Sequence, residues 1–312
     1  ALLRCLVELA RGDTNDTSAA GFIVAAHFNH RLRGEESDGD AHFVEQVAHD
    51  LGVRFEIRCG DGARRDEATA RDQRRAFFVD LVRKLGARYL ALGHSLDDNV
   101  ETVLHRLMRG TGPAGLAGIS PFRPLSDDPG GSDFVVVRPM LAIGRQAIRD
   151  ALRERGHRWR EDLSNRSTEY RRNWIRNELV PMIQTQFPSA VPAIARAIDG
   201  QRQWSETIGI CVDRWLEIHR VQSDPLIIRR LDGSDHTSDT GDNASLVRGQ
   251  AIAIEALRRC WHQSGWPLQA MGQPQWIRIF EMLRGEGAES MMLPGAIVAR
   301  RDGRSILITR QS

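Results

Sequence analysis

Three carboxylates stand close together in the segment GHSLDDNVETVLHRLMRGTG, which directly follows the apolar run YLAL. Asp98 and Glu101 are three residues apart, so on a helix they share one face. Two such carboxylates suit Mg²⁺, which prefers oxygen ligands and often takes its remaining ones from phosphates. The alternative is structural, because acidic residues in a first helical turn complement the helix dipole by about 0.3 to 1 kcal/mol each, with Asp97 as an ordinary N-cap.

The helix that carries these carboxylates is predicted over residues 98–109. Its apolar face comprises Val100, Val103, Leu104, Leu107 and Met108. The opposite face comprises Asp98, Glu101, Thr102, His105 and Arg109. The carboxylates are therefore expected to point away from the core. The following RGTGPAG is either a nucleotide-facing loop or a helix end with Gly110 in the left-handed conformation.

Strands and helices alternate through the first half of the chain. The predicted strands are GFIVAAHF, VRFEIRC, RYLALGH and DFVVVRPM, separated by helices that end at Gly52 and Gly86. This pattern predicts an α/β fold with a doubly wound parallel sheet. In such a sheet the ligand crevice lies beyond the carboxyl ends of the strands, where FNHRLRG, CGDGARR, GHSLDD and RPML occur.

Helical patterns dominate after about residue 145, and we expect two domains, 1–185 and 186–312. The second is predicted to be smaller and mainly helical, with a β-hairpin turning at Asp302-Gly303. One helix there carries the expected core stripe Trp204, Ile208, Cys211, Trp215 and Ile218.

Composition narrows the class of protein. No apolar run approaches the roughly 20 residues of a membrane span, and no leader sequence is evident. The four cysteines are widely spaced without a C-x-x-C pair, which fits a reducing cytoplasm better than a disulfide framework. The net charge of +2 does not by itself argue for nucleic acid. All the basic residues except Lys84 are Arg, for which codon bias is the simplest cause.

A local basic stretch is more informative than the total charge. Residues 138–176 contain eleven Arg and five acidic residues, a net charge of +6. This stretch is either an RNA backbone site or a solvated helix face. Trp159, Tyr170 and Trp174 lie within it and would either stack on unpaired bases or pack in a core.

The segment GHSLDDNVETVLHRLMRGTGPAGLAGI resembles the H-x-x-D-D-x-x-E-T-x-x-x-R-x-x-R-G-[ST]-G-x-x-G-L pattern of tRNA(Ile)-lysidine synthetases, which belong to the N-type ATP pyrophosphatases. The segments EATARDQRRAFF, RPML and EDLSNRSTEYRRNWIRNELVP resemble further motifs of that family, in the same order. Arg75 stands where the family usually has an aromatic residue. The resemblance extends over essentially the whole chain.

The resemblance implies an ATP-dependent ligation. ATP adenylates C2 of the wobble cytidine in tRNA(Ile) with a CAU anticodon, and L-lysine then displaces AMP to form lysidine. It implies catalytic roles for Asp98, Glu101, Arg71 and Arg74, with Mg²⁺ held by the two carboxylates. It implies nucleotide contacts from His30, His94, Arg109, Gly110 and Gly112. It implies that domain 186–312 binds tRNA or substrate and that RNA also contacts Arg166, Arg171, Arg172 and Arg176.

A second departure from the family pattern concerns phosphate binding. The phosphate-binding loop S-G-G-x-D-S, which in the family precedes the first helix of this chain, is absent from the sequence. We therefore expect residues 1–312 alone to bind ATP weakly and to form no lysidine. Two alternatives remain: a tRNA thiolase of the same ATPase group, against which the missing C-x-x-C counts, and a non-catalytic RNA-binding module. The oligomeric state stays open, with a homodimer as one option.

Overall fold

The computed structural model describes residues 1–12, 22–31, 34–60, 67–125, 134–161, 171–231, 249–268 and 270–311, which form two compact units, Ala1–Gln201 and Arg202–Ser312. The elements of the first unit are α1 (Leu2–Gly12), β1 (Val24–Asn29), α2 (Glu35–Asp50), β2 (Arg54–Cys59), α3 (Glu67–Leu85), β3 (Tyr89–Ala91), α4 (Leu96–Met108), α5 (Pro113–Leu116), β4 (Phe122–Pro124), β5 (Val135–Val137), α6 (Arg145–Glu154), α7 (Arg171–Trp174), a π-helical turn (Ile175–Leu179) and α8 (Val180–Gln186).

The remaining elements begin with α9 (Ala190–His219), a continuous helix. They continue with β6 (Arg220–Ser223), β7 (Leu226–Arg229), α10 (Gln250–Gln263), α11 (Gln273–Leu283), β8 (Ser290–Leu293), β9 (Ile297–Asp302) and β10 (Ser305–Arg310). None of the helices in the described part of the chain is both long and apolar enough to cross a membrane.

The first unit has the predicted α/β alternation, but its described parallel sheet is small. β1 pairs with β2 in parallel, and β3 pairs with β5 in parallel while β4 joins β5 in antiparallel orientation. In the described residues these form separate sheets of two and three strands, where we expected one doubly wound sheet. Helices α2 and α3 are followed, as predicted, by Gly52 and Gly86 at φ +60° and +63°, which only glycine adopts without strain.

Two apolar clusters hold the strands of the first unit. Phe28 of β1 packs on Phe77 and Leu81 of α3. Val82, on another side of the same helix, packs with Val136 of β5. Helix α3 therefore contacts strands of both small sheets. His30 directly follows β1, and His94 lies three residues beyond the end of β3.

The second unit contains more strand than predicted. The expected hairpin is present as β9 and β10, but it belongs to a five-stranded antiparallel sheet in the order β6-β7-β10-β9-β8. The prediction of a mainly helical domain missed β6, β7 and β8 because each has only four residues and therefore too short an alternating pattern. The core of the unit packs Trp215 with Trp261 and Trp276, all fully buried.

The predicted core stripe on α9 is partly wrong. Trp215 is fully buried, but Trp204 is 68% exposed and Ile218 is also exposed. The buried face instead passes through Val212, Trp215 and Leu216, so the apolar stripe was assigned slightly out of phase.

Candidate active site

The N-terminus of α4 is capped by Ser95, and the prediction that Asp97 caps it is wrong. The backbone N–H of Asp98 donates to Ser95 Oγ at 3.3 Å. Asp98 Oδ2 in turn accepts the Ser95 backbone N–H at 2.8 Å and the Ser95 hydroxyl at 2.7 Å. These reciprocal bonds form a capping box, which was missed because the helix begins at Leu96, two residues before the predicted start.

Asp97 binds the start of a different helix. Its Oδ2 accepts the backbone N–H of Arg145 at 2.6 Å, at the first residue of α6. The N-cap residue of α6 is Gly144, which has no side chain to offer. Asp97 therefore supplies the acceptor that this helix lacks, and the Leu96 N–H donates to Ile143 O at 2.9 Å beside it.

Glu101 and Asp98 face three arginines. Arg145 Nη2 donates to Glu101 Oε1 at 2.9 Å and to Asp98 Oδ1 at 3.3 Å. Arg176 makes a two-point contact with Glu101, from Nε to Oε1 at 2.8 Å and from Nη2 to Oε2 at 2.8 Å. Arg172 lies 3.4 Å from each carboxylate. The side chain of Glu101 is only 3% exposed, so its charge depends on these partners.

Three guanidinium groups face the two carboxylates, and the nearby Asp97 carboxylate also acts on Arg176. Burial raises the pKa of Asp98, but hydrogen bonds from Ser95 and the charges of Arg145 and Arg172 outweigh it, so the pKa lies below its ordinary value. The pKa of Arg176 is raised, chiefly by its hydrogen bonds to Glu101. The lowered pKa of Asp98 and the raised pKa of Arg176 both favour the charged forms of these two groups.

The donor set fits a Mg²⁺ ion that shares its shell with phosphates. No group of three or more His, Cys, Asp or Glu side chains suited to a metal occurs among the described residues. Oxygens of Asp98 and Glu101 nevertheless converge, since both lie against the same Arg145 nitrogen. Two converging carboxylates match the protein ligands that Mg²⁺ commonly takes beside a nucleotide. The guanidinium groups occupy the same oxygens and would compete with such an ion.

His94 follows β3 and lies beside Arg138. Its Nδ1 accepts a hydrogen bond from Arg138 Nε at 3.2 Å, while Arg138 Nη1 donates to Ser120 O at 2.7 Å. Burial and then the Arg138 charge lower the pKa of His94. A neutral ring whose Nδ1 accepts carries its proton on Nε2, so His94 has a donor left for another partner.

His30 follows β1 on a turn fixed by the buried Asn29. Asn29 Nδ2 donates to Asp38 Oδ1 at 2.7 Å, and its Oδ1 accepts the Arg31 N–H at 2.9 Å. Burial and then the charge of Arg74 lower the pKa of His30. The same guanidinium of Arg74 also acts on His94 and is itself influenced by Arg71. The structure thus places the two predicted histidines and the two α3 arginines within one electrostatic neighbourhood.

Arg109, Gly110 and Gly112 lie at the opposite end of α4 from the acidic pair. Arg109 is eight residues beyond Glu101, which corresponds to about 12 Å along a helix axis. Gly110 has φ +75° and donates to Leu107 O at 3.1 Å, so it ends the helix in the left-handed conformation. Whether these three residues contact nucleotide stays a prediction.

The loop after Gly110 is fastened to α4 by two side chains. Arg106 Nη1 donates to Gly115 O at 3.1 Å and to Gly118 O at 2.8 Å. The buried Asn99 accepts the Ile119 N–H at 2.7 Å. Helix α4 carries Asp98 and Glu101 near its N-terminus and holds this loop through Asn99 and Arg106. The loop is therefore fixed in position relative to the two carboxylates.

The predicted RNA contacts divide into three groups. Arg172 and Arg176 are engaged by the acidic pair, although Arg172 remains partly exposed. Arg171 is exposed at the start of α7. Arg166 and Tyr170 lie outside the described residues. Arg176 stands in the π-helical turn, a rare geometry that often occurs at functional sites.

Residues 1–183 match the PP-loop domain family. A tRNA(Ile)-lysidine synthase of Rhodopirellula baltica is 36% identical over 92% of this chain and 77% of its own length. This chain belongs to the tRNA(Ile)-lysidine synthase family. The corresponding protein of Thermus thermophilus is 32% identical over 91% of this chain and 51% of its own length. In Geobacter sulfurreducens the figures are 40% identity over 57% of this chain and 37% of the relative.

A solved structure of the U34-tRNA thiolase NcsA from Methanococcus maripaludis with its [4Fe-4S] cluster shares the fold, with a TM-score of 0.50 and 14% identity. The match covers 64% of this chain and 68% of the thiolase. This chain and the thiolase therefore share an α/β fold. The four cysteines of this chain lie in four different elements, α1, β2, α9 and α10.

Sequence reasoning missed several residues of this family member's site. Arg145 contacts both carboxylates, Arg138 binds His94, and Ser95 caps α4. Arg138 and Arg145 lie at the two ends of a segment that was expected to line the crevice beyond a predicted strand. This position was the signal in the sequence that could have identified them. Their partners lie more than 40 residues away, which no local pattern reveals.

Proposed function

We propose that this family member catalyses the ATP-dependent ligation of L-lysine to C2 of the wobble cytidine of tRNA(Ile) with a CAU anticodon when the phosphate-binding loop of the family is present, and that residues 1–312 by themselves form no lysidine. The cytidine O2 attacks the α-phosphate of ATP, so diphosphate leaves and C2 is activated as an adenylate. The lysine amine then attacks C2, loses a proton, and AMP departs with the former O2. Family membership supports the reaction, and the Asp98–Glu101 pair facing three arginines supports the site.

The carboxylates of Asp98 and Glu101 would bind the cationic ligands of this reaction. Asp98 and Glu101 would hold Mg²⁺, and Glu101 would also orient the lysine amine. A bound Mg²⁺ would neutralise the developing charge on the phosphates. Arg71 and Arg74 would bind phosphate oxygens, for which a guanidinium is well shaped.

Neighbouring groups would bind the nucleotide and the RNA. His94 Nε2–H would donate to an acceptor on the nucleotide, and His30 would lie near the adenosine. Arg109, Gly110 and Gly112 would complete nucleotide contacts only if the ligand reaches the far end of α4. Arg166 and Arg171 would contact the RNA backbone, joined by Arg172 when it leaves the carboxylates. We further propose residues 186–312 as a tRNA-binding domain and the cytoplasm as the location.

Incorporation of labelled lysine into a tRNA(Ile) transcript with a CAU anticodon tests the reaction. The protein expressed from its complete reading frame should incorporate lysine only with ATP. Asp98→Asn should lower turnover about 10²- to 10³-fold and keep tRNA binding within a few-fold, because an electrostatic group is lost from the reaction centre. Asp150→Asn is the control, since Asp150 binds Gln146 and Arg153 on the exposed face of α6.

Turnover, tRNA binding and the chemical group incorporated into the tRNA together distinguish the alternatives. Unchanged turnover by Asp98→Asn would show that the Asp98 carboxylate is not required for catalysis. Tight tRNA binding without any lysine incorporation by the unsubstituted protein would favour a non-catalytic RNA-binding module. Incorporation of sulfur in place of lysine would favour a thiolase.

A further inference from the structure

The start of α6 is tied to the start of α4 by backbone as well as side-chain bonds. Leu96 N–H donates to Ile143 O at 2.9 Å, and Asp97 Oδ2 accepts the Arg145 N–H at 2.6 Å. The Cα of Arg145 is therefore held at a defined place beside the first turn of α4. Its side chain starts from a position that cannot shift unless these bonds break.

The three arginines of the cluster differ in how they hold the carboxylates. Arg145 uses one nitrogen, Nη2, to contact both Asp98 Oδ1 and Glu101 Oε1. Arg172 is the most exposed of the three and makes the longest contacts with Glu101, at 3.4 Å. Arg176 also contacts both carboxylates, Asp98 Oδ1 from Nη2 at 3.3 Å and Glu101 at two points. Its backbone, however, lies in the π-helical turn and not at the helix start that Asp97 anchors.

We infer that Arg145 is a positioning residue that holds the carboxylates of Asp98 and Glu101 side by side. The inference rests on the proposed function of that pair. Arg145 binds one oxygen of each carboxylate from a fixed backbone, so both groups keep the same orientation. Arg172 and Arg176 reach the same two carboxylates from α7 and the π-helical turn, whose backbones Asp97 does not hold.

Substitution of Arg145 tests the inference in the lysine-incorporation assay. Arg145→Gln should lower kcat about 10- to 100-fold while the KM for tRNA stays within a few-fold, as expected when a residue that orients a ligand group is lost. Arg145→Lys should give an intermediate kcat, because the native contact uses a single nitrogen that an ammonium group can imitate.

Arg54→Gln is the control. Arg54 pairs with Glu56 at the start of β2, outside the basic stretch 138–176, and its side chain is more than half exposed. Its substitution should leave kcat and KM unchanged. The inference is overturned if Arg145→Gln keeps its kcat within about twofold, or if Arg145→Lys is no better than Arg145→Gln.

A crystal structure of Arg145→Gln provides a readout independent of activity. The Glu101 carboxylate should rotate away from residue 145 while the bond from Asp97 to the residue 145 N–H persists. Unchanged orientations of both carboxylates would overturn the inference. Absence of lysine incorporation by the unsubstituted protein would instead count against the proposed function, and the crystal structures would still decide whether Arg145 positions the pair.

Discussion

Replacement of Glu101 by Gln should destabilise the first unit by about 2 to 3 kcal/mol. Removing one member of a buried ion pair typically costs about 3 to 5 kcal/mol, because the partner charge is left without compensation. The side chain of Glu101 is 3% exposed, but those of Arg145 and Arg176 are 27% and 18% exposed and can recover some hydration. We reduce the expected cost for that reason. The side-chain NH2 of Gln would also face guanidinium N–H groups, and two donors cannot hydrogen-bond to each other.

Urea unfolding monitored by hydrogen-exchange mass spectrometry measures this cost, since peptides of α4 report the first unit separately. With a slope of about 2 kcal/mol per molar urea, the midpoint should fall by about 1 to 1.5 M. Glu8→Gln is the control, because Glu8 pairs with Arg155 at 2.7 Å with both side chains more than half exposed. That pair should contribute less than about 1 kcal/mol. An unchanged or higher midpoint for Glu101→Gln would refute the view that the arginines depend on Glu101.

Three further changes test other contacts of the first unit by the same measurement. Ser95→Ala should cost about 1 kcal/mol, because the N-cap acceptor of α4 is lost, and equal stability would contradict the capping box. Gly118→Ala should cost about 1 to 3 kcal/mol, since Gly118 has φ +73° and a Cβ would overlap the Asn99 carboxamide. Stability should rise as pH increases towards 6.5 and then level off, because the pKa of His94 is lowered on folding from 6.5 and the unfolded chain binds its proton more tightly. His94→Gln should reduce that slope, and an unchanged slope would exclude His94 as its source.

The predicted helices of the first unit were close to the observed ones because their signals are local. Periodic apolar residues and a terminal glycine define α2 and α3, and Gly52 and Gly86 have the expected positive φ. The strands of the second unit were harder to predict. A four-residue strand such as β8 gives two alternations at most, and its pairing with β9 is a tertiary event.

The chemistry of the acidic pair was predictable from spacing, whereas its partners were not. Asp98 and Glu101 are three positions apart, which places both on one face of any helix. Arg172 and Arg176 were assigned to RNA because they stand in a basic stretch. In the fold both side chains contact carboxylates of residues more than 70 positions earlier in the sequence. Charge density alone therefore could not distinguish an RNA contact from an ion-pair partner.

These contacts also give an order in which ligands are expected to approach the site. An anion such as a triphosphate is expected to bind before a cation, because both carboxylates already lie against guanidinium groups while Arg172 is partly exposed. A phosphate that draws away Arg172, the most weakly held partner, would free a carboxylate oxygen for a cation. Mg²⁺ or the lysine amine should therefore bind more tightly once nucleotide is present, and by linkage nucleotide should bind more tightly with the cation.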